Sequence, residues 1–288
     1  MDRIGAILYT SYLHVLSTLN KPVSQGVKRI YPPIPPSNTF TAGFIAGTVQ
    51  SIVAAPLDAL QARLTVNDLL EGRYQSMWHY GQQKLIQIGI RGVFAGWGLS
   101  LVRDSLGYGT FFSVFEYIKS QAFYGFMVRY YGSLRIHYID MPKIPESSTR
   151  EVPLIKPHYA LEPCFLMLAG ITASIAQQVI QYPLSMIQDL HFGRLEYLDH
   201  QASLDLSKKR MFRHYYYAYK ETYKRCRKRA HRTGGWRRWL FRGFFRSAVR
   251  QVPSTSAALV IFETVRRKYA NLTDVVYIQK DGYNILLT

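Results

Sequence analysis

Cysteine is scarce in this chain: Cys164 and Cys226 are the only two. They exclude a disulfide framework and supply no spacing for a metal. The 8 histidines are scattered singly from His14 to His231, and no Gly-rich phosphate loop occurs. Neither a metal nor a cofactor is therefore expected, and enzyme chemistry finds no cluster to rest on. Acidic residues are scarce too, 18 Asp and Glu against 36 Lys and Arg, for a formal net charge of +18. The excess is uneven, with sixteen Lys and Arg between Lys208 and Arg250.

Elsewhere the chain has long stretches with little charge: Ile4 to Asn20, Phe40 to Ala62, Val93 to Ile118, Phe165 to Ile187 and Phe244 to Phe262. Several reach the roughly 20 residues that cross a hydrocarbon core. All but the first hold several polar or charged residues and a Gly or Pro, which suits a helix lining a polar cavity better than a lipid-exposed span. The first could be mistaken for a secretory signal, but Asp2 weakens its basic flank and no small-x-small cleavage site follows.

The chain repeats itself, and a repeat sets architecture before local structure does. Arg103 is followed twelve positions later by Phe115-Glu116-Tyr117-Ile118-Lys119, and Arg250 by Phe262-Glu263-Thr264-Val265-Arg266 at the same interval. A fainter copy begins at Arg3, 100 positions before Arg103, and ends in Val15-Leu16-Ser17-Thr18-Leu19, without the charges. Upstream of the two strong copies lies a small-residue helix closing on proline. One runs from Ala42-Gly43 and Gly47 to Pro56-Leu57-Asp58, the other from Gly170 and Ser174 to Pro183-Leu184-Ser185. Small residues four apart allow close helix approach, and Pro56 and Pro183 are expected to kink their helices. Glycine and aromatic residues precede each straight helix, as Phe94-Ala95-Gly96 and as Phe241-Arg242-Gly243.

Together these motifs resemble the mitochondrial carrier family, whose repeat of about one hundred residues pairs a helix carrying Pro-x-acid-x-x-base with one carrying aromatic-acid-x-x-base. The resemblance covers roughly residues 1 to 20, 38 to 120 and 160 to 270. It implies an all-α transmembrane bundle with a pseudo-threefold repeat of two helices plus a short matrix helix, one of these near Arg73 to Gly89. The implied organisation is a partial first repeat at 1–36, a second at 37–120, an inter-repeat loop at 121–159, and a third at 160–272 carrying a basic matrix-side insertion at 191–239. A C-terminal tail follows at 273–288. The first helix of the plan has no counterpart here, so truncation, or a second subunit filling the gap, is expected.

The resemblance also assigns roles. Glu116 and Lys119 with Glu263 and Arg266 fall at the cytosolic-side gate, where Glu116 would pair with Arg266. Ion pairs suit a gate because water and substrate can offset their loss, although the same charges could merely cap helix ends. Asp58, Gln61, Ser185 and Gln188 fall at the matrix-side gate, with glutamine twice where the family has a base. Neutral hydrogen bonds are weaker than charge-assisted ones, so this gate is expected to close less firmly. Arg103 with Asp104, Arg250 with Gln251, and Arg3 match the substrate-contacting positions. An adjacent Arg and acid suit a carboxylate-bearing or amino-acid-like solute, unless the two only neutralise each other.

Two insertions depart from the plan. Gln121 to His158, with Pro142, Pro145, Pro153 and Pro157, reads as a flexible loop. His191 to Trp239 is basic and aromatic, a composition shared by nucleic-acid binders, but basic residues beside membrane spans more often meet anionic headgroups, here cardiolipin. The expectation is thus a multi-pass protein of the mitochondrial inner membrane, monomeric if it has six helices, exchanging a small charged metabolite and binding no nucleic acid. A carrier-like scaffold or assembly partner that does not transport is the alternative.

Overall fold

The computed structural model describes residues 2–20, 33–63, 94, 96–131, 133–137, 154–155, 161–204, 211–268, 275–280 and 283–287. Helices dominate: α1 (Asp2–Leu19), α2 (Pro36–Arg63), α3 (Trp97–Glu116), α4 (Phe123–Tyr131), α5 (Leu161–Leu204), α6 (Met211–Arg232), α7 (Trp236–Leu240) and α8 (Phe244–Lys268). The helical class expected from the sequence is the one found. The short matrix helix expected near Arg73 to Gly89 lies outside the described residues.

Local chemistry explains where these helices start and stop. Pro36 occupies the first position of α2, where a missing N–H costs nothing and φ is already helical, and Thr39 Oγ1 donates to the Pro36 carbonyl at 3.0 Å. Glu162 and Pro163 sit in the first turn of α5, the acid favoured by the helix dipole there. Arg229, His231 and Arg232 crowd the last turn of α6, and Gly234 and Gly235 end it at φ 83° and 125°. Gly235 N–H reaches back to the Ala230 carbonyl at 2.8 Å, closing a helix end that a side chain at positive φ would strain. Pro56 and Pro183 lie inside continuous helices, as does Pro253, each removing one backbone hydrogen bond.

Two helices are long and apolar enough to cross a membrane among the described residues: α2 over Pro36–Asp58 and α5 over Leu161–Leu195. At 1.5 Å per residue the 44 residues of α5 reach about 66 Å, twice a hydrocarbon core of roughly 30 Å. Its C-terminal half thus exceeds what one crossing needs, and α6 packs along it. Ala218, Thr222, Cys226 and Ala230 recur every fourth residue and are all buried, a single narrow face of small side chains. Ala218 meets Leu195, Thr222 Oγ1 lies 3.0 Å from His191 Nδ1, and Cys226 and Ala230 cluster with Trp239, Ile187 and Leu190. Arg194 pairs with Glu221. The basic insertion at 191–239 is thus largely a helical hairpin.

The inter-repeat segment needs correcting. Residues expected to begin a loop at 121 continue the helix, first as a π-helix over Tyr117–Ala122 and then as α4. The physical reason is aromatic packing: Phe123 and Phe126 lie 5.4 and 5.3 Å from the Phe165 ring of α5, and Met127 is fully buried. Beyond α4 come strands β1 (Ser133–His137) and β2 (Leu154–Ile155), which join β3 (Val275–Lys280) and β4 (Tyr283–Leu287) of the C-terminal tail. The sheet order is β1-β3-β4-β2, antiparallel except for the β2 and β4 pair.

Two compact units divide the chain. One comprises Met1–Tyr9, Phe44–Gly107 and Gln178–Arg246; the other Thr10–Gly43, Tyr108–Gln177 and Ser247–Thr288. Small residues set the helix spacing in each. In the first, a Cβ on Gly47 would meet the Asp104 carbonyl oxygen at 2.6 Å; in the second, a Cβ on Gly43 would meet that of Tyr108 at 2.7 Å. The glycines four apart on α2 therefore do what their spacing predicts, bringing α2 backbone onto α3 backbone.

Candidate functional site

The first unit gathers polar side chains from three helices around one guanidinium. Arg103, on α3, donates from Nε to Asp104 Oδ1 at 2.8 Å and from Nη2 to Asp104 Oδ2 at 3.1 Å. Its Nη1 donates to Gln188 Oε1 of α5 at 2.7 Å, and Nη2 lies 3.8 Å from Asp58 Oδ2 of α2. Gln188 in turn donates from Nε2 to Ser100 Oγ at 2.8 Å. The fork of the guanidinium fits this arrangement, since its donors point in fixed, divergent directions.

Burial makes these bonds consequential. Gln188 is 2% exposed and Ser100 1%, so an unsatisfied amide or hydroxyl there would cost about 1–3 kcal/mol. Asp104 is buried as well, and its carboxylate is tolerated because a cation pairs with it through two hydrogen bonds. The Arg103 side chain keeps 24% of its surface and Asp58 28%, so the guanidinium remains within reach of a solute while it holds the helices. Thr48 and Ser105 hydroxyls, 2.9 Å apart, add a neutral bond between α2 and α3.

The sequence-derived sites divide sharply. Arg103, Asp104, Asp58 and Gln188 come together, joining the pair expected to contact substrate to two positions expected at the matrix-side gate. Ser185 does not join them; its Oγ donates to the Tyr182 carbonyl at 2.8 Å. Arg250 and Gln251 are exposed on α8 and belong to the other unit. Side chains of Arg3, Gln61, Glu263 and Arg266 lie outside the described residues, and with them the Glu116 to Arg266 bridge. Within the second unit Glu116 accepts from Lys119 Nζ at 2.8 Å, and that ammonium also lies 5.3 Å from the Phe115 ring centroid.

Sequence reasoning missed Ser100 and the link between Arg103 and Gln188. Ser100 sits three residues before Arg103, one turn away on the same face, which was a readable signal. It also missed the π-helix that begins one residue after Glu116, where Ser120 Oγ donates to the Glu116 carbonyl at 2.5 Å. Such turns are frequent at functional positions.

Two helices long and apolar enough to span a bilayer, α2 and α5, thus converge with α3 on one polar cluster. Residues 32–125 match the family model described as mitochondrial carrier protein. The chain is 32% identical over 119 residues to mitochondrial thiamine pyrophosphate carrier 1 of Neurospora crassa, a match covering 39% of this chain and 35% of the relative. It is also 32% identical over 87 residues to mitochondrial substrate carrier family protein E of Dictyostelium discoideum, covering 28% of this chain and 29% of the relative. The chain thus spans about a third of the length of the curated relatives it matches. No solved structure matches it.

Proposed function

We propose that this protein exchanges a small charged metabolite across the mitochondrial inner membrane by alternating access, as a multi-pass transporter and not an enzyme. The observation that carries this reading is Arg103. A partly exposed guanidinium beside a buried carboxylate gives one group for a substrate's anion and one for a cation, which suits a carboxylate-bearing or amino-acid-like solute. Cavity-facing charges in membrane helices are costly and usually functional. The Neurospora relative is by name a carrier of thiamine pyrophosphate; the substrate class here is read from Arg103 and Asp104 instead.

Partners follow from the same surface logic. The basic surface comprises Arg229, His231 and Arg232 at the end of α6 and Arg237 and Arg238 of α7. Anionic headgroups, cardiolipin among them, are the partner proposed for it, and the working unit is proposed to be a monomer. Reconstitution into liposomes tests the transport reading. Exchange of carboxylates or amino acids is expected, with Arg103→Ala lowering its rate by about tenfold or more, the scale of one lost charge-assisted hydrogen bond. An unchanged rate in that variant removes the site, and a wild-type protein that exchanges none of these solutes favours the non-transporting scaffold.

A further inference from the structure

We infer that Arg103 is the lock of the matrix-side closure, taking the place of the bases absent at positions 61 and 188, and that glutamine stands at 188 because Arg103 requires an acceptor there. This rests on the transport reading, which supplies the gate to be locked. A base at 188 would be expected to attract Asp58. Instead the Gln188 amide turns its oxygen to Arg103 Nη1 and its nitrogen to Ser100 Oγ, so both ends of a buried side chain are committed. The positive charge opposite Asp58 comes from α3, at 3.8 Å. One guanidinium thereby ties α2 and α5 to α3.

The arrangement has a sign that an ordinary packing contact lacks. A lysine at 188 would put an ammonium against the Arg103 guanidinium, replacing a charge-assisted hydrogen bond by like-charge repulsion in a buried place. With the guanidinium gone, the same lysine, about one bond longer than glutamine, would face Asp58 and Asp104 and restore the missing pair. The effect of Gln188→Lys must therefore reverse with the residue at 103, a coupling that a double-mutant cycle isolates.

The test reads gate opening without needing transport. In full-length protein reconstituted without substrate, Ser185→Cys is introduced with Cys164→Ser and Cys226→Ala, and its alkylation by a membrane-impermeant maleimide is timed. Arg103→Met, which keeps the stem and removes the charge, should raise the rate about tenfold, and so should Gln188→Lys alone. The two together should return it to within about twofold of the parent, and Arg103→Lys should fall between parent and Arg103→Met. If Gln188→Lys adds to Arg103→Met instead of cancelling it, or if neither single variant changes the rate, Arg103 is not the lock. Should Arg103→Met fail to reconstitute, Gln188→Lys alone decides: a rate equal to the parent's overturns the proposal. Reversal without any exchange activity would leave the lock standing and remove the transport reading, whereas exchange without reversal would do the opposite.

Discussion

The two units close by different chemistry. In the first, helices α2, α3 and α5 meet through Arg103, Asp104, Asp58 and Gln188, a polar clamp with little room for replacement. In the second, the charges are local, Glu116 with Lys119 three residues on, and aromatic rings fill the space between helices: Tyr12 stacks on Phe112 with centroids 3.8 Å apart and planes 8° from parallel. Phe112 also meets Phe111 edge-on at 5.3 Å. A polar clamp is directional and can be undone by a competing ion, whereas ring packing is lost only when the surfaces separate. Eroding the charges of a repeat therefore has opposite consequences in the two places.

That contrast can be broken by mutation. The largest effect is expected from Phe112→Ala, which empties a nearly fully buried site and should cost about 3–5 kcal/mol, read as a lowered thermal midpoint of the detergent-purified protein. Arg103→Ala should come next, at about 3 kcal/mol, because it leaves Asp104 buried without its cation and Gln188 without its donor. Gly47→Ala, which drives a methyl into the Asp104 carbonyl, should cost about 1–3 kcal/mol by the same assay. Lys119→Ala, which leaves the buried Glu116 carboxylate without its cation, should cost about 1–3 kcal/mol; a loss larger than that of Arg103→Ala would show the second unit to be held by charge after all.

The smallest effect separates the units by reactivity alone. Cys164 is exposed and Cys226 buried, and burial pushes the Cys226 thiol above its ordinary pKa, against the opposing influence of Arg229. Near neutral pH, maleimide should label one thiol per chain, at Cys164, with the second reached only on unfolding. Raising the pH should speed labelling at Cys164 before Cys226, whose thiol is both buried and raised in pKa. Rapid labelling of both at neutral pH would mean that the hairpin of α5 and α6 opens readily.

Much of the helical plan was legible because it is written locally. Gly43 and Gly47 announce a close-packed helix within one stretch of sequence, and the Arg103 to Lys119 spacing repeats at Arg250 to Arg266. The link from Arg103 to Gln188 spans 85 positions and depends on which helix faces are turned together, which no local pattern specifies. Charges on odd helices alone gave no sign of the bonds from Gln188 to Arg103 and Ser100 on α3. The loop expected from 121 onward failed for another reason: prolines at 142 and beyond were allowed to speak for residues twenty positions upstream. There Phe123, Tyr124 and Met127 carry an ordinary helical pattern of burial. In the basic insertion, the conspicuous Lys and Arg hid the quieter signal of Ala218, Thr222, Cys226 and Ala230.

Helix α5 runs on for about twenty residues after Pro183, a rod of roughly 30 Å at helical rise, stiffened along its flank by α6. A rod of that length is a lever. A swing of about 10° at Pro183 would carry its tip by about 5 Å, an amplification set by helical rise alone. A displacement at Pro183 too small for most probes would thus be written large at the far end of the helix, and a reporter dye placed at the exposed Tyr197 would read it out as a needle reads a dial.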